Sequence, residues 1–336
     1  MTPASAPRPR RAYRLLVLSR GSGQVADHQL AELPSLLRPG DLLVVNDAAT
    51  LPASLPARAP SGAPAEVRLV RALDDGVRWR AVLFDGGNWR TPTEHRSAPE
   101  RLETGARLEI AGLAATVTAI GASPRLFDFA FEAEPDAVWA ALYLRGRPIQ
   151  YAHVPDPLEL WSVQTPYASR PWAVEAPSAG LGLGGALLSA LRARGIGLAA
   201  ITEGAGLSAT GDSALDARLP LPERFEVGAE TVEAISRAHA RGGRVVAVGT
   251  SVVRALETAA QTGQLCASAG ETDLVIGPGH PLRVADGLLT GLHEPTASHY
   301  ALLQAFATAA QLHAAYRHAE RAGYLGHELG DANLIL

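Results

Sequence analysis

The sequence predicts an α/β protein, a layered α/β domain interrupted by an inserted all-β, barrel-like domain. Three observations carry this. Apolar runs such as "DLLVVN", "IGLAAIT" and "RVVAVG" have the length and valine content of buried strands, and amphipathic stretches such as "ETVEAISRAHARGG" alternate with them. From about Ala57 the texture changes to short segments, "AEVRLVRAL", "VRWRAVLF", "ARLEIAG" and "LFDFAFEA", punctuated by Gly, Pro and Asp in the manner of an antiparallel meander. After "DAVWAALYLRGRP" the alternation of helix and strand returns.

In chain order, residues 1–10 read as a disordered Pro/Arg/Ala arm. "YRLLVL" and "DLLVVN" are strands flanking a short helix near "QLAELPSLL", which Pro34 interrupts or starts. Residues 57–148 form the inserted β domain, and 11–56 with 149–336 form the α/β domain. Its second part continues with helix "GALLSALRARG", strand "IGLAAIT", helix "ETVEAISRAHARGG", strand "RVVAVG", helix "SVVRALETAAQTG", strand "DLVIG" and a long helical region from Ala297.

With 336 residues, 47% of them hydrophobic, the chain can bury a core for each domain. All thirty basic residues are arginine, so Schiff-base, pyridoxal-phosphate and P-loop lysine chemistry are excluded. A net charge of −4 leaves room only for a local arginine patch against nucleic acid. No apolar run reaches the roughly 18 residues of a membrane span, and the start lacks an apolar leader, so a cytoplasmic protein is expected. The single cysteine, Cys266, excludes an intramolecular disulfide and a cysteine-based zinc cluster. No spacing motif marks a histidine and carboxylate metal site, and none is assigned.

Within "AGLGLGGA", Gly180, Gly182 and Gly185 satisfy G-x-G-x-x-G, and Glu203 lies near the distance of a ribose-binding acid. Pro177 just upstream is poor material for the strand such a nicotinamide or flavin fingerprint needs, so a closely packed turn is the preferred reading. "GGRVVAVGTSVVRALETAA" is more specific: strand, glycine turn at Gly249, then a helix that Thr250 or Ser251 can cap. Arg254 follows Thr250 by four residues and can fork onto a carboxylate or phosphate, with Glu257 positioning it. Spacing alone fits a solvated Arg254–Glu257 helix pair equally well. Polar residues also stand at strand ends: Asn46 and Asp47 after "DLLVV", and Asp286, Thr290 and His293 before a helix start near Thr296.

Taken in order, "RLLVL", "GDLLVVND" with "LPASL", "QTPYA", "APSAGL", "GGRVVAVGTSVVRALE", "TDLVIGPG" with "DGLLTGLHEP", and "GDANLI" resemble the S-adenosylmethionine:tRNA ribosyltransferase-isomerase family of queuosine biosynthesis. The resemblance implies transfer and isomerisation of the ribosyl part of S-adenosylmethionine onto a 7-aminomethyl-7-deazaguanine in the tRNA anticodon, with adenine and methionine released. S-adenosylmethionine is then a substrate, and no cofactor or metal is needed. It also implies a substrate site drawn from Asn46, Gln164, Thr165, Pro177, Ser178, Gly180, Gly249, Thr250, Arg254, Glu257 and Thr290, with a donor carboxylate on Thr250 and Arg254. The base beside the sulfonium is sought among His293, ranked first, Asp47, Asp286, Glu223 and Glu257. A monomer is expected.

Departures from the family pattern accompany the match. Ala48 and Ala49 replace Thr-Arg, Ser54 replaces an arginine, "RPIQYAH" replaces Pro-Leu-Pro-Pro-Tyr-Ile, and Gly182-Leu183 replaces His-Phe. The histidine-rich region has become "ITEGAGLSATGD" and "LPLPERFEV", keeping Glu223. They support two further readings: an S-adenosylmethionine-dependent transferase with a different acceptor, and a non-catalytic binding homologue on the same scaffold.

Overall fold

The computed structural model describes residues 1–74, 76–295 and 297–336. Among them, the valine- and leucine-rich runs assemble a nine-stranded mixed sheet in the order Ser268–Thr272, Glu223–Val227, Gly197–Glu203, Leu42–Asn46, Val245–Val248, Gly287–Gly291, Ala332–Ile335, Arg14–Leu18 and Val25–Gln29. The four strands from Gly197–Glu203 to Gly287–Gly291 are mutually parallel, and antiparallel pairs flank them. Their continuous hydrophobicity follows from this: Leu42–Asn46 and Val245–Val248 are buried on both faces. Helices Gly185–Ala193, Ala229–Ala240, Thr250–Ala259 and Ala309–Arg321 pack their apolar sides onto the sheet.

The alternating segments close into a six-stranded barrel in the order Leu126–Phe131, Arg78–Phe84, Pro64–Ala72, Ser54–Arg58, Arg107–Ile110 and Leu113–Ile120. All neighbours are antiparallel, and Trp79, Phe127 and Phe129 fill the interior. The helix Pro135–Arg145 follows, and Arg147 returns to pair with Ser54 at the barrel entrance. Thus the predicted class, an α/β domain carrying an inserted barrel, is the observed one. Ser54, where the family carries arginine, donates to Glu66, whose buried charge is held by Arg68 and Arg96 on the face of the barrel wall opposite Val67 and Leu69.

Three local expectations are corrected. Residues 1–10 are not a disordered arm: Thr2–Pro3 pairs with Leu325–Gly326, Ala4 is buried, and Arg8 reaches the buried Asp331 at 2.9 Å. Tertiary partners supply the order that composition does not. "DLVIG" is not a strand. The strand is Ser268–Thr272 before it, because Arg254 takes the Leu274 carbonyl that a sheet neighbour would otherwise need. The C-terminal helical region is two helices, Ser298–Leu303 and Ala309–Arg321. Thr296 lies outside the described residues; the helix that follows it has Ala297 as its N-cap.

Candidate active site

A cavity of about 600 Å³ opens beyond the carboxyl ends of the parallel strands, where the strand order reverses around Leu42–Asn46. Open α/β sheets bind ligands at this place, and the volume suits a nucleoside-sized molecule. Gly249 and Thr250 leave one strand into it, Thr290 and Gly291 end the next, and Gly206–Ser208 follow Gly197–Glu203. Tyr151 and His153, on the chain leaving the barrel, reach the same space.

At the Gly249 corner the backbone turns at φ +102°, a conformation glycine adopts without a steric penalty. Gly249 is the N-cap, and no side chain caps the helix, neither Thr250 nor Ser251. The helix start therefore presents N–H groups and positive dipole to the cavity. Arg254, one turn in, is buried and already paired. It donates to Glu223 and to the carbonyls of Leu274 and Thr272 at 3.0 and 3.4 Å, with Glu203 3.8 Å away. Burial, then the charge of Glu223, pushes the Glu203 carboxyl well above its usual range, with Arg254 only partly offsetting them. Arg254 thus pairs with Glu223, while the buried oxygens of Glu203 have no hydrogen-bond partner among the described residues.

Elsewhere in the lining, Glu175 is buried and accepts hydrogen bonds from the Tyr151 hydroxyl, the Ser208 hydroxyl at 2.6 Å and the Ser208 N–H at 2.8 Å. Burial raises its carboxyl to about 7, the Ser208 and Tyr151 hydrogen bonds limiting the rise. A carboxyl in this range exchanges a proton readily at neutral pH. His293 also lines the cavity, with Nε2 2.8 Å from the Thr290 hydroxyl and its ring stacked on His299 at 5.0 Å. Burial, then repulsion from His299 and His327, holds it well below the ordinary histidine value. His293 is neutral but a weak base.

A family model described as queuosine biosynthesis protein matches residues 2–335. The chain is 38% identical over 337 residues to the S-adenosylmethionine:tRNA ribosyltransferase-isomerase of Anaeromyxobacter dehalogenans, covering 98% of this chain and 93% of that protein. It is 39% identical to the protein of the same name from Acidithiobacillus ferrooxidans, covering 99% and 94%. The chain belongs to the queuosine biosynthesis protein family. Its fold matches the crystal structure of S-adenosylmethionine tRNA ribosyltransferase from Thermotoga maritima with a TM-score of 0.55 at 28% identity, over 99% of this chain and 96% of that one. The resemblance drawn from seven motifs is therefore correct.

Of the residues those family motifs single out, Pro177, Ser178, Gly249, Thr250, Glu223, Arg254, Thr290 and His293 line the cavity. The others turn away. Asn46 bridges strands, donating to the Glu203 carbonyl at 2.9 Å and accepting from Glu203 N–H at 3.0 Å. Asp47 accepts from the Thr202 hydroxyl at 2.5 Å. Gln164 clamps the Thr50 backbone with two hydrogen bonds, and Thr165 is buried against Gly180. A Cβ at Gly180 would collide with the Tyr167 hydroxyl, so this glycine serves a tight turn and not a dinucleotide. Glu257 does not position Arg254; it accepts from the backbone N–H groups of Arg283, Val284 and Ala285 at 2.8, 3.0 and 3.2 Å. Asp286 precedes Gly287–Gly291, at the strand end away from the cavity, where it holds His239 and the Val245 N–H. Sequence reasoning missed Tyr151, Glu175, Ser208 and His299. Only Glu175, directly before "APSAGL", stood beside a motif.

Proposed function

We propose that the protein transfers and isomerises the ribosyl moiety of S-adenosylmethionine onto a 7-aminomethyl-7-deazaguanine in tRNA, releasing adenine and methionine. The observation that carries this reading is the cavity at the strand ends of a chain that matches named ribosyltransferase-isomerases over almost its whole length. The donor occupies the cavity. Its carboxylate sits at the start of the helix Thr250–Ala259, where N–H groups and dipole favour an anion, and Arg254 acts behind it through the Glu223 pair.

Glu175, ionised, accepts the proton from the carbon beside the sulfonium. Its carboxyl value near neutrality matches that task better than the depressed value of His293. Neutral His293, fixed by Thr290, then offers a hydrogen-bonding edge to the donor or the leaving base. Asp47 and Asp286, already committed to structural partners outside the cavity, take no part.

Mixing the protein with S-adenosylmethionine and an anticodon stem-loop bearing the deazaguanine tests this. Adenine release dependent on the RNA is expected. Donor binding without release on that RNA contradicts the acceptor assignment, and absence of donor binding contradicts the whole reading.

A further inference from the structure

Three lining residues that the reaction above does not use stand together: His153, His327 and Glu328. His153 Nε2 is 3.1 Å from the Glu328 carboxylate, and the two imidazole centroids are 4.6 Å apart. One ligand atom from each residue lies within 4.8 Å of the others. His153 belongs to the "RPIQYAH" segment, where this chain departs from its family; His327 and Glu328 lie in the turn between Leu325–Gly326 and Ala332–Ile335.

That turn is held firmly. Asp331 accepts from the Leu325 N–H at 2.9 Å and the Arg14 N–H at 3.0 Å, and Gly330 N–H donates to the His327 carbonyl at 2.9 Å. His327 itself has φ +65°, a left-handed conformation that non-glycine residues rarely adopt and that recurs at functional sites. Glu294 lies 3.2 Å from His327 Nε2. A His153–Glu328 ion pair alone accounts for one imidazole. It gives no reason for a second histidine, its ring tilted against the first at 4.6 Å, with a carboxylate of its own.

We propose that His153, His327 and Glu328 bind a divalent transition metal of the zinc type, leaving a coordination position open to the cavity. Two imidazoles and one carboxylate are a donor set that such ions favour, and three protein ligands with an open position characterise sites that take up a further ligand. Tetrahedral coordination at about 2.0–2.2 Å places ligand atoms about 3.3 Å apart, close to the His153–Glu328 separation, and side-chain rotation brings in His327. Glu294 supplies the outer carboxylate that orients a ligating imidazole. The open position suits an oxygen donor of a bound substrate. Ligands 175 residues apart leave no spacing motif, so the sequence assigned no metal here.

The test is titration of tag-free, chelator-treated protein with ZnCl₂ by calorimetry and with CoCl₂ by visible absorption. One equivalent should bind, with the intense spectrum of low-coordinate cobalt. His153→Ala and His327→Ala should each weaken binding by at least tenfold, as should Glu328→Gln, which preserves shape, whereas His313→Ala at an exposed position should not. Binding of neither metal overturns the proposal, as does binding that all three ligand variants retain. Adenine release enters neither result, so failure of the transfer reading is distinguishable from failure of this one.

Discussion

Around Arg254 the guanidinium is held by the Glu223 carboxylate and by the carbonyls of Leu274 and Thr272, while the carboxyl of Glu203, 3.8 Å away, is buried without a hydrogen-bond partner among the described residues and lifted well above its usual range. Around Glu175 the hydrogen-bond partners are uncharged. There a carboxyl is lifted to about 7 among hydroxyl donors, with two histidines and a second carboxylate further along the lining. Both regions are buried, but Glu223 is paired with a cation whereas Glu175 is held by hydroxyl and N–H donors. The difference teaches that the most motif-like residue, Arg254, is tied into the structure by an ion pair, while the carboxyl lifted towards neutrality, Glu175, stands outside the motifs.

The largest expected effect comes from breaking the Arg254–Glu223 pair. Arg254→Ala should destabilise the protein by about 3–5 kcal/mol in denaturant titration, because it strands Glu223 as a buried charge. If that variant kept its stability and lost only donor affinity, Arg254 would be a ligand residue and the contrast would disappear.

Replacing Glu175 predicts the opposite sign. Glu175 shifts from 4.5 to about 7 on folding, so between those values the unfolded chain is ionised while the native carboxyl stays protonated. The native state then binds more protons, and stability falls as pH rises through this window, by about 3 kcal/mol at most. Glu175→Gln should remove that loss and stabilise the protein at pH 8 more than at pH 5. Equal effects at both values would place the carboxyl in an ordinary environment.

Glu257→Ala should cost about 2 kcal/mol by leaving three N–H groups of residues 283–285 without their acceptor, and donor affinity should stay unchanged in calorimetry. A fall in donor affinity would return Glu257 to the site. The smallest effect is expected of Thr290→Val, about 1 kcal/mol in thermal melting, from the single hydrogen bond to His293.

Much of the fold was legible because two periodicities announce it: strands buried on both faces read as unbroken apolar runs, and barrel strands as alternation, as in Arg107–Ile110. "DLVIG" misled because an apolar run also fits a loop packed on the core, where Ile276 lies buried. The Gly249 corner was legible as well, since strand, glycine and helix are contiguous. Asp286 and Glu257 misled because sequence proximity to a motif says nothing about which end of a strand or which face of a helix a side chain takes. Tyr151, Glu175 and Ser208 meet only through tertiary structure, after the chain has left the barrel and crossed the sheet. No local pattern marks such a meeting.

The account turns on Glu175 as the proton acceptor beside the sulfonium, and single-turnover adenine release by Glu175→Gln measures this directly. With donor and RNA saturating, the variant should bind S-adenosylmethionine as the parent does, release adenine at least 10²-fold more slowly, and lose the rise in rate that the parent shows as pH passes about 7. A variant that releases adenine at the parental rate with the parental pH profile would contradict the account and return the base to His293.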